Sequence, residues 1–230
     1  MPKFIYYLYF IPLLVGAMVS WRTFKTSWPR FFQLFSLFLT GTLLMELFAV
    51  SWKFWLHKTG WWSLPKSNLW IYNLYYIPQY LLYYIFLYKA TGEEKPPKKV
   101  FQAICLLTIV GGLCNLLFIQ GLQMLDTYTI IIGSLGVIFF CLNYLRLESW
   151  QFDQRKPVRD PGLWIVAGAL LFHLAALPYF VCINYLSGSN IKLALTLFTI
   201  ILFLNILMYS MYLIAFLCGR PFPQKPSSRS

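Results

Sequence analysis

The sequence predicts an all-α fold: a polytopic membrane bundle of seven transmembrane helices, with the N-terminus outside and the C-terminus in the cytoplasm. Of its 230 residues, 59% are hydrophobic and only 11% are charged, whereas soluble domains carry about 25% charged residues. Its apolar runs approach the ~20 residues that a helix needs to cross ~30 Å of hydrocarbon. Its basic residues occupy short stretches between those runs and are concentrated on one side.

Seven apolar segments form a single predicted transmembrane domain over residues 1–218, and residues 219–230 are expected to form a disordered cytoplasmic tail. Charged and turn residues separate the segments, and the short connections make consecutive helices antiparallel neighbours. The predicted spans are residues 4–20, 32–51, 69–88, 100–119, 127–146, 163–184 and 194–217.

The first segment could be mistaken for a cleaved secretory signal. A signal peptide carries its positive charge before the apolar run, whereas here Arg22, Lys25 and Arg30 follow the run and only Lys3 precedes it. We therefore interpret this segment as a retained first helix.

The distribution of basic residues predicts the orientation, because lysine and arginine in short loops favour the cytoplasmic side. The opposite set of connections carries Lys3, Lys53, Lys58, Lys66 and Lys192. The larger set has 14 of the 19 basic residues: Arg22, Lys25, Arg30, Lys89, Lys95, Lys98, Lys99, Arg146, Arg155, Lys156, Arg159, Arg220, Lys225 and Arg229. We expect a multi-pass protein of the cell (cytoplasmic) membrane.

The expected partners follow from this placement. The net charge of +12 is explained by membrane orientation, so no nucleic-acid partner is predicted. Besides the lipid bilayer itself, the basic connections KATGEEKPPKK and RLESWQFDQRKPVRD could attract anionic head groups or a cytoplasmic signalling protein.

Two ionisable residues inside the segments are the first candidates for a functional site. Glu46 is the only carboxylate within a predicted span, and such residues are costly in a membrane. His173 lies near the centre of the sixth span, within ~6 Å of Glu46 in depth. If the second and sixth helices touch, the two could act as a unit in proton coupling or pH sensing. Glu46 could equally be a residue that only links helices by hydrogen bonding, and for His173 a satisfied core histidine is the preferred interpretation.

Uncharged polar side chains extend this list of candidates. Asn73, Gln79, Asn115 and Asn205 fall within predicted spans, where such groups face the bundle interior. Pro78 and Pro178 each remove a backbone hydrogen bond and are candidate helix hinges. These groups could line a pocket that opens outward, although hydrogen bonding between packed helices would use them equally well.

Catalytic signatures are weak. No paired carboxylates occur within the spans, and His57 and His173 are the only histidines, so no catalytic residue, metal or cofactor is predicted. Gly133-Ser134-Leu135-Gly136 is similar to the serine motif of rhomboid proteases, but its order is G-S-x-G rather than G-x-S-G. Small residues that allow close helix packing explain it better.

Three stretches carry a family resemblance: LWIYNLYYIPQYLLYYIFLYK, DPGLWIVAGALLFHLAALPYFVCINYL and the closing YLIAFLC. Together they resemble uncharacterised bacterial seven-helix membrane proteins that look like the membrane sensor domains of signalling proteins. The resemblance covers about a third of the chain and implies no catalytic residue and no defined ligand.

The leading hypothesis is therefore a sensory or signalling module whose outward pocket responds to a small or lipidic ligand. A small transporter or proton-coupled permease would use the same pocket. An intramembrane enzyme would require Ser134 and His173 to lie within hydrogen-bond distance. A structural or assembly factor is the fourth alternative, and it predicts no cavity.

Overall fold

A computed structural model of the protein describes residues 7–25, 28–59, 65–92, 95–149 and 160–218. These residues form helices joined by short connections, and no strand occurs among them. The predicted tail over residues 219–230 and part of each predicted cytoplasmic connection lie outside the described residues.

A helix lies over each of the seven predicted segments. Short helical turns occupy Arg22–Lys25 and Leu56–Thr59, and a π-helical turn at Asn115–Ile119 extends the fourth helix. The long helices are α1 (Phe10–Ser20), α2 (Arg30–Phe54), α3 (Leu69–Ala90), α4 (Lys98–Cys114), α5 (Thr127–Ser149), α6 (Pro161–Ser189) and α7 (Ile191–Cys218).

Local chemistry explains several helix starts. Pro29 and Pro97 stand immediately before α2 and α4, and their extended backbone cannot continue a helix towards the N-terminus. Asp160 caps α6 by accepting the Gly162 N–H at 2.8 Å, with Pro161 at the first helical position.

Five of the helices are long and apolar enough to cross a membrane: α2, α4 with its π turn, α5, α6 and α7. The helices α1 and α3 are not among these five, for separate reasons. The helix α1 has only 11 residues, and α3 carries seven tyrosines together with Asn73 and Gln79. The protein is thus all-helical with strong membrane character, and the number of crossings stays a prediction.

The helices form a closed ring. α1 packs between α2 and α7, α3 packs between α2 and α5, and α6 packs between α5 and α7. α4 packs on α3 and α5 and is the least buried of the five apolar helices. In this ring one face of α3, the helix with seven tyrosines, packs on its neighbours, whereas Leu74 on the opposite face is 50% exposed.

Aromatic side chains fill one end of the helix bundle. We call this end the basic end because α2 begins there at Arg30 and α4 begins there at Lys98. Phe35 is almost fully buried and its ring centroid lies 4.6 Å from that of Phe86 and 6.3 Å from that of Phe216. Trp28 packs edge-on against Phe32 at 5.0 Å. This cluster, the aromatic plug, consists of Trp28, Phe32, Phe35, Phe86 and Phe216.

Candidate functional site

A stripe of tyrosines along α3 organises the polar interior. These residues recur every three or four positions, which places them on one face of the helix. Tyr80, Tyr83 and Tyr84 are at most 3% exposed, so the face points into the ring. The stripe consists of Tyr72, Tyr75, Tyr76, Tyr80, Tyr83 and Tyr84.

Glu46 lies near the end of α2 that is opposite the basic end, and its carboxylate joins three helices. Oε2 accepts hydrogen bonds from the phenol of Tyr9, which precedes α1, and from that of Tyr72 on α3, both at 2.8 Å. One helical turn towards the basic end, the hydroxyls of Thr42 and Tyr75 lie 2.8 Å apart. A carboxylate that accepts two phenol donors makes stronger hydrogen bonds than neutral pairs do.

His173 occupies a separate cluster. Its Nδ1 lies 3.0 Å from Ser134 Oγ, and the phenol of Tyr80 lies 3.4 Å from the same oxygen. Its Nε2 is buried and has no hydrogen-bond partner among the described residues. The ring of Tyr83 stands perpendicular to the imidazole, with centroids 5.6 Å apart. Among the described residues, no hydrogen bond joins Glu46 to His173. The pair that their similar depth suggested is therefore not formed.

Buried tyrosines connect the two clusters. Tyr9 stacks on Tyr209 with centroids 6.4 Å apart, and Tyr209 meets Tyr212 edge-on at 6.0 Å. The phenol oxygen of Tyr212 then lies 2.7 Å from that of Tyr83, which contacts His173. Successive ring contacts and hydrogen bonds between tyrosines therefore link Glu46 to His173.

The glycines of the G-S-x-G segment admit this tyrosine face. A Cβ on Gly133 would overlap the ring of Tyr80, and a Cβ on Gly136 would overlap the phenol of Tyr84. The two phenols bond back to α5: Tyr80 donates to the Ile130 carbonyl at 3.2 Å and Tyr84 donates to the Gly133 carbonyl at 2.9 Å. Close packing of α3 on α5 therefore explains both glycines.

Two of the predicted pocket residues instead organise the connection between α4 and α5. Asn73 donates to the carbonyls of Met124 at 2.7 Å and Gly121 at 3.2 Å, and its Oδ1 accepts the Asp126 N–H at 3.2 Å. The Asn115 side chain donates to Gln120 at 2.8 Å and contacts Asp126 Oδ1. Both asparagines are at most 1% exposed.

Asp126 is the second buried carboxylate, and the sequence reasoning missed it because it stands just outside the fifth predicted span. Its residue surface is fully buried. Its Oδ1 accepts the Thr129 N–H at 3.2 Å at the start of α5. An aspartate directly before an apolar run is typical of a helix N-cap, and that pattern was the available signal.

The remaining candidates belong to none of these clusters. Asn205 donates to the Ile201 carbonyl of its own helix at 3.2 Å, and Gln79 is half-buried. Pro78 and Pro178 are exposed and lie within helices that continue through them. Their proposed role as hinges stays a prediction.

These residues could support hydrogen bonding, proton exchange or nucleophilic attack. The described residues include no group of three or more His, Cys, Asp or Glu side chains that could hold a metal ion. The fold and the site together define a class: a helical membrane-embedded protein with a polar, tyrosine-rich interior. No known protein family matches the chain, and comparison with curated proteins and with solved structures gives no significant match.

Proposed function

We propose that the protein is a sensory or signalling module of the cell membrane that crosses the bilayer seven times, with its N-terminus outside. A small or lipidic ligand acts in the outer half of the bundle near Glu46, and the basic cytoplasmic connections pass the change to a partner protein. One observation carries this proposal: Glu46 Oε2 accepts hydrogen bonds from both phenols, so α2, α3 and the residue before α1 meet at a single atom.

The position of α1 and α3 supports seven crossings. Both helices lie within the closed ring beside helices that are apolar enough to span. Five tyrosines of α3 bond to other helices, so their hydroxyls need no contact with lipid: Tyr72, Tyr75, Tyr80, Tyr83 and Tyr84. The mean hydropathy of α3 thus understates its fitness for a membrane.

The aromatic plug favours signalling over transport. A substrate that passed through the ring would have to displace Phe32, Phe35 and Phe86, each at most 1% exposed, at the basic end. A sensor needs only to change how those rings pack. The rings of Tyr212 and Phe35 meet at 5.2 Å, which joins the tyrosines near Glu46 to the plug.

Fluorine NMR of Trp28 tests this coupling. Trp28 lies before the first residue of α2, roughly 25 Å along the helix from Glu46 at 1.5 Å per residue. The protein is labelled with 5-fluorotryptophan in lipid nanodiscs, and Trp28→Phe identifies the Trp28 resonance among those of the nine tryptophans. We expect Glu46→Gln and Tyr9→Phe to shift or split that resonance. Each change weakens the hydrogen bonds at Glu46 that hold α2, α3 and Tyr9 together, and the tyrosines near Glu46 contact the aromatic plug.

Leu44→Ala is the matched control, since Leu44 lies on the same helix at similar depth but is 61% exposed on the outer face of the bundle. It should leave the Trp28 resonance unchanged. A Trp28 resonance that is identical in the wild type and in both site variants would refute the coupling, as would an equal shift in Leu44→Ala.

A second candidate function, an intramembrane serine hydrolase, is favoured by the approach of Ser134 to His173. At 3.0 Å, His173 Nδ1 could take the Ser134 proton as Oγ attacks an acyl carbonyl carbon, and then give that proton to the leaving group as its bond to the acyl carbon breaks. Water activated by the same imidazole would then release the acyl group from Ser134. Ser134 lies ~10 Å inside the start of α5. Ser134 and His173 are both at most 3% exposed, so in this structure the pair is closed to a substrate.

A fluorophosphonate probe separates hydrolase from sensor. A hydrolase becomes labelled on Ser134, and both Ser134→Ala and His173→Asn abolish the label while the protein stays folded. The sensor proposal, in which the bond only links α5 to α6, predicts no labelling of the wild type. Labelling that depends on both residues would therefore replace the first proposal with the second.

A further inference from the structure

The connection between α4 and α5 holds three buried oxygen atoms that lack a hydrogen-bond partner among the described residues: Asp126 Oδ2, Asn115 Oδ1 and Thr129 Oγ1. Their residues lie together, since Asp126 Oδ1 contacts the Asn115 amide and accepts the Thr129 N–H at 3.2 Å. Buried polar atoms nearly always have partners. An unpartnered carboxylate oxygen, with an unpartnered amide oxygen and hydroxyl on the residues that contact the same carboxylate, therefore points to a positively charged ligand.

The charge of Asp126 leads to the same conclusion. The groups that bond to its side chain are neutral, namely the Asn115 amide and the Thr129 N–H. A carboxylate buried without a positive partner is costly. The N-terminal end of α5 offsets part of that cost at Oδ1, but it leaves Oδ2 unpartnered.

The end of α4 contributes a second favourable feature. Its last turn is the π turn Asn115–Ile119, where the Asn115 carbonyl accepts the Gln120 N–H at 2.9 Å. The C-terminal end of a helix carries partial negative charge and orphan carbonyls. In secondary transporters with discontinuous helices, such helix ends and unwound segments coordinate sodium ions or protons.

We propose that Asp126, Asn115 and Thr129 bind a sodium ion at the junction of α4 and α5. One carboxylate balances one positive charge, and amide and hydroxyl oxygens complete a hard-ligand set. Divalent ions usually take further carboxylates or retain several waters, and the described residues offer no acidic cluster. This proposal is independent of the sensory function, because it concerns the α4–α5 junction and not Glu46.

The test is thermal unfolding of the full-length protein in zwitterionic nanodiscs, in sodium chloride and in choline chloride at equal ionic strength. Saturating sodium should raise the Tm by about 5 °C. Asp126→Asn should have the same Tm in both salts, because a neutral amide no longer binds the ion. Thr129→Val keeps the helix cap and should raise the sodium concentration at half-effect about tenfold, which covers the case in which Asp126→Asn fails to fold.

Asp160→Asn is the matched control: it changes another helix-capping aspartate, at the start of α6, and should retain the full sodium response. Equal Tm values in sodium and choline for the wild type would overturn the site. So would a sodium response that survives in both Asp126→Asn and Thr129→Val, or a response to magnesium or calcium without one to sodium.

Discussion

Glu46 and its two phenol donors are the polar contact on which the arrangement of α1, α2 and α3 depends most directly. Both donors use the same oxygen at 2.8 Å, so each hydrogen bond is charge-assisted if the carboxylate is ionised. Hydrogen bonds between membrane helices contribute about 1 kcal/mol each. Loss of both would leave a buried carboxylate without a donor, which costs more than the two bonds separately.

Tyr9→Phe and Tyr72→Phe should each lower the free energy of unfolding by about 1 kcal/mol, because each removes one donor to Glu46. The double variant should lose more than the sum of the two, since the residues share an acceptor. Reversible unfolding in mixed micelles measures these values. Tyr128→Phe is the control, because Tyr128 is 52% exposed and should change stability by less than about 0.5 kcal/mol. Equal effects at all three positions would contradict the account.

For single residues, the sequence was a better guide to which polar side chains matter than to which groups they are hydrogen-bonded to. The cost of charge in a membrane was sufficient to select Glu46 and His173. Their similar depth suggested a pair, but depth says nothing about which way each helix is turned. In the structure, Glu46 is hydrogen-bonded to Tyr9 and Tyr72, and His173 is hydrogen-bonded to Ser134. Asp126 was missed because a capping residue lies outside the apolar run that defines a span.

The element with the most unusual composition is α3, whose polar face is also its most buried face. The tyrosine spacing of three and four residues was visible in the sequence and predicts a single face. Whether that face meets lipid or protein depends on its neighbours. Gly133 and Gly136 on α5 provide the complementary surface by leaving room for Tyr80 and Tyr84.

Gly133→Ala and Gly136→Ala should each destabilise the protein by about 1–3 kcal/mol, because the added methyl group would overlap a buried ring and force α3 away from α5. Gly41→Ala is the matched control within a helix. Its nearest foreign atom would lie 4.0 Å away, so the change should be neutral or slightly stabilising. Thermal unfolding in nanodiscs compares the three, and unchanged Tm values for the α5 variants would contradict the packing described.

Helix positions were more predictable than helix ends. A helix lies over every predicted segment, because long apolar runs bounded by charges have few alternatives. The sixth segment was predicted to end at residue 184, whereas α6 runs from Pro161 to Ser189. Helices often extend beyond the apolar run, since hydropathy marks lipid contact and not backbone conformation.

For the whole molecule, the ring of helices separates two kinds of interior. Glu46, Asp126, Asn73, Asn115 and His173 occupy the middle and the end opposite the basic end, whereas the side chains of the aromatic plug close the basic end. This asymmetry is what the proposed sensory role requires, because a ligand can act on one side while only packing changes reach the other. It depends on every helix of the ring crossing the membrane, including α3.

The most direct test of that claim is the accessibility of cysteines on either side of α3. In a cysteine-free background, Lys66→Cys and Lys95→Cys place single thiols at exposed positions that flank this helix. A membrane-impermeant maleimide should label Lys66→Cys in intact cells and label Lys95→Cys only after the membrane is permeabilised. Labelling of both positions from the same side would show that α3 does not cross, and the account of its buried tyrosine face within a seven-span bundle would be wrong.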